Sequence, residues 1–127
     1  MMNVGYRFKP LHKDEVTHTQ LVRYSGASGD FNPIHTVEHA GVKSGLGGVI
    51  AHGMLIMGFI GQAIGTWFSI EQLAKFNARF RGMTKPGEKI TVQGKIVDET
   101  ESRWICEAIA VNNDGEVKVS AKFEVNK

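Results

Sequence analysis

A chain of 127 residues, 42% apolar and 22% charged, has the balance of an ordinary globular domain rather than a disordered or fibrous chain. Its formal charge of +2 is spread without basic runs, which excludes a nucleic-acid footprint and leaves room for an acidic small ligand. Cys106 is the only cysteine, so no intrachain disulfide can form, and its strand-like apolar surroundings mark a buried thiol. The opening residues lack the apolar stretch of a secretory leader, and the expectation is a cytoplasmic chain forming one domain over residues 1–127.

In chain order, residues 3–8 alternate weakly and suggest a short first strand. Thr17 to Ala27, with Leu21, Val22 and Tyr24, suits a short helix beginning near Asp14 or Thr17, and Gly26 and Gly29 open a loop after it. Asn32-Pro33 is a helix-start signal: Asn caps, and Pro at the first helical position loses no hydrogen bond. That places His35 in the first turn of a helix running to about Ala40, followed by a flexible loop over Gly41 to Gly48.

Val49 to Phe68 is twenty residues without a charge, about the length of a membrane span. His52, Gln62, Thr66 and glycines 53, 58, 61 and 65 interrupt it, and positive-inside flanks are missing. The expectation is instead a long helix buried on all sides in a globular fold. Each glycine costs about 1 kcal/mol relative to Ala in a helix interior, so close approach of a sheet or partner helix is expected there.

Beyond Phe68 the period changes. Phe76, Ala78 and Phe80 alternate with polar residues, Lys85-Pro86-Gly87 makes a turn, and Ile90 to Val97 and Trp104 to Val111 read as further strands. Asn112-Asn113-Asp114-Gly115 forms a hairpin turn into Val117–Val125. A long helix followed by an antiparallel meander of about four strands makes an α+β fold, a sheet packed around a central helix.

Three features bear on chemistry. In Ser28–His35, SGDFNPIH, Asp30 precedes the helix start and His35 lies one turn inside, so a carboxylate and an imidazole can face one space and share proton transfer. From spacing alone, Asp30 could equally cap the helix and His35 lie on the surface. At Ala51-His52-Gly53-Met54, the unsatisfied N–H groups of a helix start can hold an oxyanion, and Gly53 lets it come close; Gly53 could equally relieve crowding, and His52 could be a hydrogen-bonded core residue. The third feature, Gly45–Gly48, lacks the lysine and spacing of a phosphate-binding P-loop. No metal is expected: His35 and His39 with Asp30 and His52 could form a set, but HTVEH is not the HExxH order and no cysteine pair supports it.

SGDFNPIH, a gap of sixteen residues, and HGM opening an apolar helix together resemble the MaoC-like family of (R)-specific enoyl-CoA hydratases and 3-hydroxyacyl-thioester dehydratases. Arg79-Phe80-Arg81 and Lys85-Pro86-Gly87-Glu88 resemble its strand and turn after the central helix. The resemblance implies a hot-dog fold with a sheet wrapping the long helix, and a homodimer or higher oligomer. It implies Asp30 and His35 as the catalytic pair and the Gly53 N–H as oxyanion donor, with Asn32, His52 and Met54 around the substrate. The substrate implied is an acyl-CoA or acyl-carrier-protein thioester, with no cofactor. Val37, where the family often has an acidic residue, and Gly61, where it often has a small polar one, depart from the pattern.

Rival readings are a subunit of a heteromeric fatty-acid-synthesis dehydratase, a non-catalytic thioester binder and a thioesterase; against the last, residues 53–68 hold no carboxylate. Met54, Met57, Phe59 and Ile60 are expected to line an acyl tunnel, their bulk favouring short chains. Lys43, Arg81 and Lys85 are possible phosphate partners.

Overall fold

Period-two alternation builds the sheet. In the computed structural model, which describes residues 2–127, β3 (Thr91–Glu99), β4 (Arg103–Val111) and β5 (Val117–Asn126) form an antiparallel meander. The register sets Cys106 opposite Phe123, Ala108 opposite Ala121 and Ala110 opposite Val119. One face is therefore apolar and buried, while Lys95, Glu107 and Lys122 line up across the other. β2 (Leu73–Phe80) does not extend the meander in chain order. It crosses to pair with β5, giving, with β1 at Leu11–His12, the order β1-β3-β4-β5-β2.

The first strand is smaller than residues 3–8 suggest. Only Leu11–His12 (β1) forms a regular ladder, against β3. Upstream, Gly5 and Phe8 donate to the Ile96 and Gly94 carbonyls and Arg7 forms a single bridge to Lys95. Gly5 at φ 93 turns the backbone there, and Pro10 has no N–H for a ladder.

The long helix, α3, covers Gly53–Trp67, shorter than the apolar run because Val49 to His52 form an extended approach to it. Leu55, Ile56, Phe59, Ile60, Ala63 and Ile64 face the sheet in one core with Val92, Ile96, Ala108 and Phe123. Each large side chain so buried contributes about 1.5–3 kcal/mol. Burial on all sides is not what the structure shows: Met54, Gly58, Gln62, Gly65 and Thr66 are exposed on the far face. The glycines divide accordingly. A Cβ at Gly53 would press on the Phe80 ring at 3.1 Å, whereas Gly58 and Gly65 face open space and nothing in this chain approaches them. Close approach in the sheet falls instead at Gly94, where the Trp67 ring occupies the place of a side chain. No helix among the described residues is long and apolar enough to cross a membrane.

Two helices lie between. α1 (His18–Ser28) takes in Gly26, buries Leu21 and Ser25, and leaves Val22 exposed. The expected helix from Asn32 to Ala40 is two elements, a 3-10 turn at Pro33–His35 and α2 at Glu38–Lys43. Thr36 and Val37, a β-branched pair, adopt non-helical conformations between them. The loop after α2 consequently begins at Ser44, and Gly41 sits inside α2, where any side chain would overlap the Gly48 carbonyl.

Candidate functional site

The site begins with helix capping. Thr17 and Gln20 form a reciprocal capping box that starts α1, and Gly29 ends it in the left-handed conformation at φ 77. The chain that follows is held by side chains bonding to backbone. Ser28 Oγ accepts the Asp30 N–H, Asp30 Oδ1 accepts the Asn32 N–H, and Asn32 Oδ1 accepts the Ile34 N–H, each at 3.2 Å. Asp30 thus spends one carboxylate oxygen on the loop and keeps Oδ2 for the space in front of it.

The 3-10 turn aims His35 inward. Its ring is buried, and Nδ1 lies 2.7 Å from the Ile50 carbonyl, which can only accept, so Nδ1 carries the proton. Nε2 is left to face Asp30 Oδ2 at 3.8 Å, too far for a direct hydrogen bond and close enough for one small polar group to bridge. Ile50 in turn donates to the Ile34 carbonyl, and Ala51 to that of Thr84, so Val49 to His52 are tied to both the turn and the loop after β2.

Asp30, His35, His52, Gly53 and Met54 line one cavity of about 320 Å³ together with Tyr24 and Ser28. His52 is the N-cap of α3 but makes no capping bond with its side chain. The first-turn N–H groups of α3 have no intrahelical acceptor, and the helix dipole adds partial positive charge there. Gly53 is exposed at that end. Met54 is 55% exposed. The Asn32 side-chain oxygen is engaged in its own turn, a loop-holding position. A hollow of about 370 Å³ lies on the sheet's outer face among Asn77, Arg79, Arg81, Glu107 and Lys122, and shares no lining residue with this cavity.

Several site residues stand where sequence reasoning did not look. Ser25 is buried and its Oγ lies 3.1 Å from His52 Nε2, and the Tyr24 ring packs edge-on to His52 at 4.8 Å. The available signal was a small polar residue four positions after Leu21 on the buried face of α1. Of the expected tunnel residues, Phe59 and Ile60 belong to the core against the sheet, so α3 does not line a tunnel with all four. Lys43, Arg81 and Lys85 are exposed; Arg81 Nε donates to Ser120 Oγ, and Lys85 borders a groove that also contains the Glu38 carboxylate.

Asp30, His35 and His52 bring potential metal-ligand atoms within 4.8 Å of one another. They do not fit a metal centre. The two imidazoles lie face to face at 3.8 Å, so their lone pairs run side by side instead of converging. His39, on α2, is exposed and outside the cluster.

A family model described as the MaoC like domain matches residues 3–118. The chain belongs to the MaoC-like dehydratase family. Over 125 residues this MaoC-like chain is 28% identical to 3-hydroxybutyryl-CoA dehydratase of Methylorubrum extorquens, covering 90% of the chain and 80% of that protein. It is 37% identical over 82 residues, 62% of the chain, to a fatty acid synthase subunit beta of Gibberella zeae, of whose length the match spans 4%. The (R)-hydratase PhaJ1 of Pseudomonas aeruginosa superposes with a TM-score of 0.86 at 23% identity, over 98% of this chain and 81% of that one. The fold is the hot-dog fold, and the family is one of hydro-lyases.

Proposed function

We propose that this MaoC-like protein adds water across the double bond of trans-2-enoyl thioesters to give (R)-3-hydroxyacyl thioesters, or catalyses the reverse elimination. The observation that carries this reading is the 3.8 Å gap between His35 Nε2 and Asp30 Oδ2 at the mouth of a cavity floored by a helix start. A water held in that gap meets two proton-transfer groups at once. Its oxygen adds to C3 as one group takes its proton, and the pair returns a proton to C2, so neither residue is consumed. The thioester carbonyl becomes enolate-like during the step, and the Gly53 N–H, at the positive end of α3, is the donor that would hold that oxygen. The chemistry needs no cofactor, because C2 acidity comes from the thioester and the oxyanion site.

A homodimer is part of the proposal. Phe31, Met54, Phe80 and Met83 are all more than half exposed, and the glycine-bearing face of α3 is open. A second copy laid over these residues would cover the cavity and enclose an acyl chain. The substrate is an acyl-CoA or an acyl-carrier-protein thioester. Loss of enoyl absorbance from crotonyl-CoA, with chiral analysis of the product, tests the reaction. The expected outcome is (R)-3-hydroxybutyryl-CoA from the wild type and none from folded Asp30→Asn and His35→Ala variants. An inactive wild type on CoA and carrier-protein substrates alike would overturn the hydratase reading.

A further inference from the structure

His52 lines the cavity yet turns no donor toward it. Its Nε2 lies 3.2 Å from the Asp30 main-chain carbonyl and 3.1 Å from Ser25 Oγ. A carbonyl oxygen only accepts, so Nε2 carries the proton and Nδ1 is a bare lone pair. That Nδ1 is buried and without a partner. One ring face lies on the His35 ring at 3.8 Å between centroids and 21° between planes, and the Tyr24 ring packs edge-on at 4.8 Å. The single imidazole therefore touches both members of the acid–base pair: the backbone of one and the ring plane of the other.

We propose that His52 is the positioning residue of the site: an Nε2–H imidazole that tethers the Asp30 main chain to α1 and fixes the plane of the His35 ring. The inference deepens the hydratase reading and rests on it. The 3.8 Å gap lies between the loop at Asp30 and the turn at His35, whose backbones are joined by side-chain caps but whose facing side-chain atoms share no direct hydrogen bond. His35 Nδ1 bonding to Ile50 holds one edge of its ring, and stacking on His52 supports its face. An error of about 1 Å in such a gap is enough to cost a hundredfold in rate.

Neutrality follows from the surroundings. The titratable groups facing His52 are Tyr24 on α1, Asp30 on the loop and His35 on the turn. Burial, foremost, pulls the His52 imidazole below its ordinary range; the Asp30 carbonyl bond works against this, and the His35 ring adds to the lowering. A proton on Nδ1 would have no acceptor and would set a cation against the His35 ring, so proton traffic is left to His35 Nε2 and Asp30.

The test separates the contacts. In the ¹⁵N-labelled wild type at pH 7.5, long-range ¹H–¹⁵N spectra are expected to show His52 as the Nε2–H tautomer. An Nδ1–H tautomer would overturn the proposal without any variant being made. His52→Gln keeps an N–H donor for the Asp30 carbonyl, and His52→Phe keeps a stacked ring without the donor. With crotonyl-CoA, kcat is expected to fall about tenfold in His52→Gln and about a hundredfold in His52→Phe, with KM changed less than about twofold in both. A His52→Phe variant with wild-type kcat, or a loss confined to KM, would reduce His52 to core filling or substrate contact. The spectra need no substrate. An inactive wild type with the expected tautomer thus rejects the hydratase reading alone, and an active wild type with the wrong tautomer rejects the positioning role alone.

Discussion

Two polar clusters in this protein invite comparison, the first largely buried, the second with two buried histidines beside an exposed Asp30. In the first, Lys118 Nζ reaches the Met83 carbonyl at 2.8 Å and Glu88 Oε1 at 3.0 Å, while the Asn112 amide donates to the same carboxylate oxygen at 2.7 Å. Glu88 Oε2 accepts the Lys85 N–H. Burial works to raise the Glu88 carboxyl, but the Lys85 N–H, the Asn112 amide and the Lys118 ammonium outweigh it and hold the group below its usual range. The Lys118 ammonium, the Glu88 carboxylate and the Asn112 amide all find partners, although the neighbouring Thr84 Oγ1 is buried without one, and the cluster joins the loop after β2 to the β4–β5 hairpin. In the second cluster, Asp30, His35 and His52, the backbone-facing atoms are equally well answered. The atoms facing the cavity are not: a 3.8 Å gap separates Asp30 from His35, and His52 Nδ1 has no partner. A buried polar atom left incomplete, as His52 Nδ1 is, is destabilising, and the contrast is the one expected if the first cluster supports the fold and the second serves the proposed reaction.

Breaking each cluster should have opposite signatures. The largest effect is expected from Asp30→Asn and His35→Ala, which should lower kcat for crotonyl-CoA hydration about a thousandfold, with little change in denaturant midpoint for the exposed Asp30. Steady-state kinetics beside urea unfolding checks this, and matching losses of stability would erase the distinction. Lys118→Met should do the reverse. Leaving the Glu88 carboxylate without its buried ammonium is expected to cost about 3 kcal/mol of unfolding free energy, with kcat of the remaining folded protein nearly unchanged.

Gly53→Ala comes next. Its Cβ would meet the Phe80 ring at 3.1 Å, and Phe80, 53% exposed, can swing aside. Stability should hold while kcat falls about tenfold through crowding at the helix start, less than outright loss of an oxyanion donor. A subtler comparison uses pH. Because the His52 imidazole titrates below its ordinary 6.5 in the folded state, the unfolded chain binds the proton first as pH falls. The His52 contribution to stability is thus present above about pH 6.5 and declines below it. Glu88, lowered from 4.5, adds stability that is present above that value and lost in more acidic solution. Urea unfolding from pH 7.5 to 5 should show a shallower decline in His52→Phe than in wild type. The smallest effect concerns Cys106, buried, with burial pushing its thiol up to about 12. It should resist maleimide in native buffer and react on unfolding; rapid native labelling would show that this part of the core opens.

Much of the molecule is determined by sequence alone, because local rules act over a few residues. Alternation set the faces of β3, β4 and β5, the Asn112–Gly115 turn set their hairpin, and Asn32-Pro33 marked the start of the turn that carries His35. The same locality explains why Asp30 and His35 could be nominated together: they are five residues apart, joined by a chain of side-chain caps. Tertiary structure decided the rest. The pairing of β2 with β5 depends on which sheet edge remains open after the meander closes, and the one-sided burial of α3 on the sheet covering only one flank. The stacking of His52 on His35 brings together residues seventeen apart, and Ser25 meets His52 across twenty-seven. No local propensity encodes such encounters, because they arise only when separate elements are packed against one core.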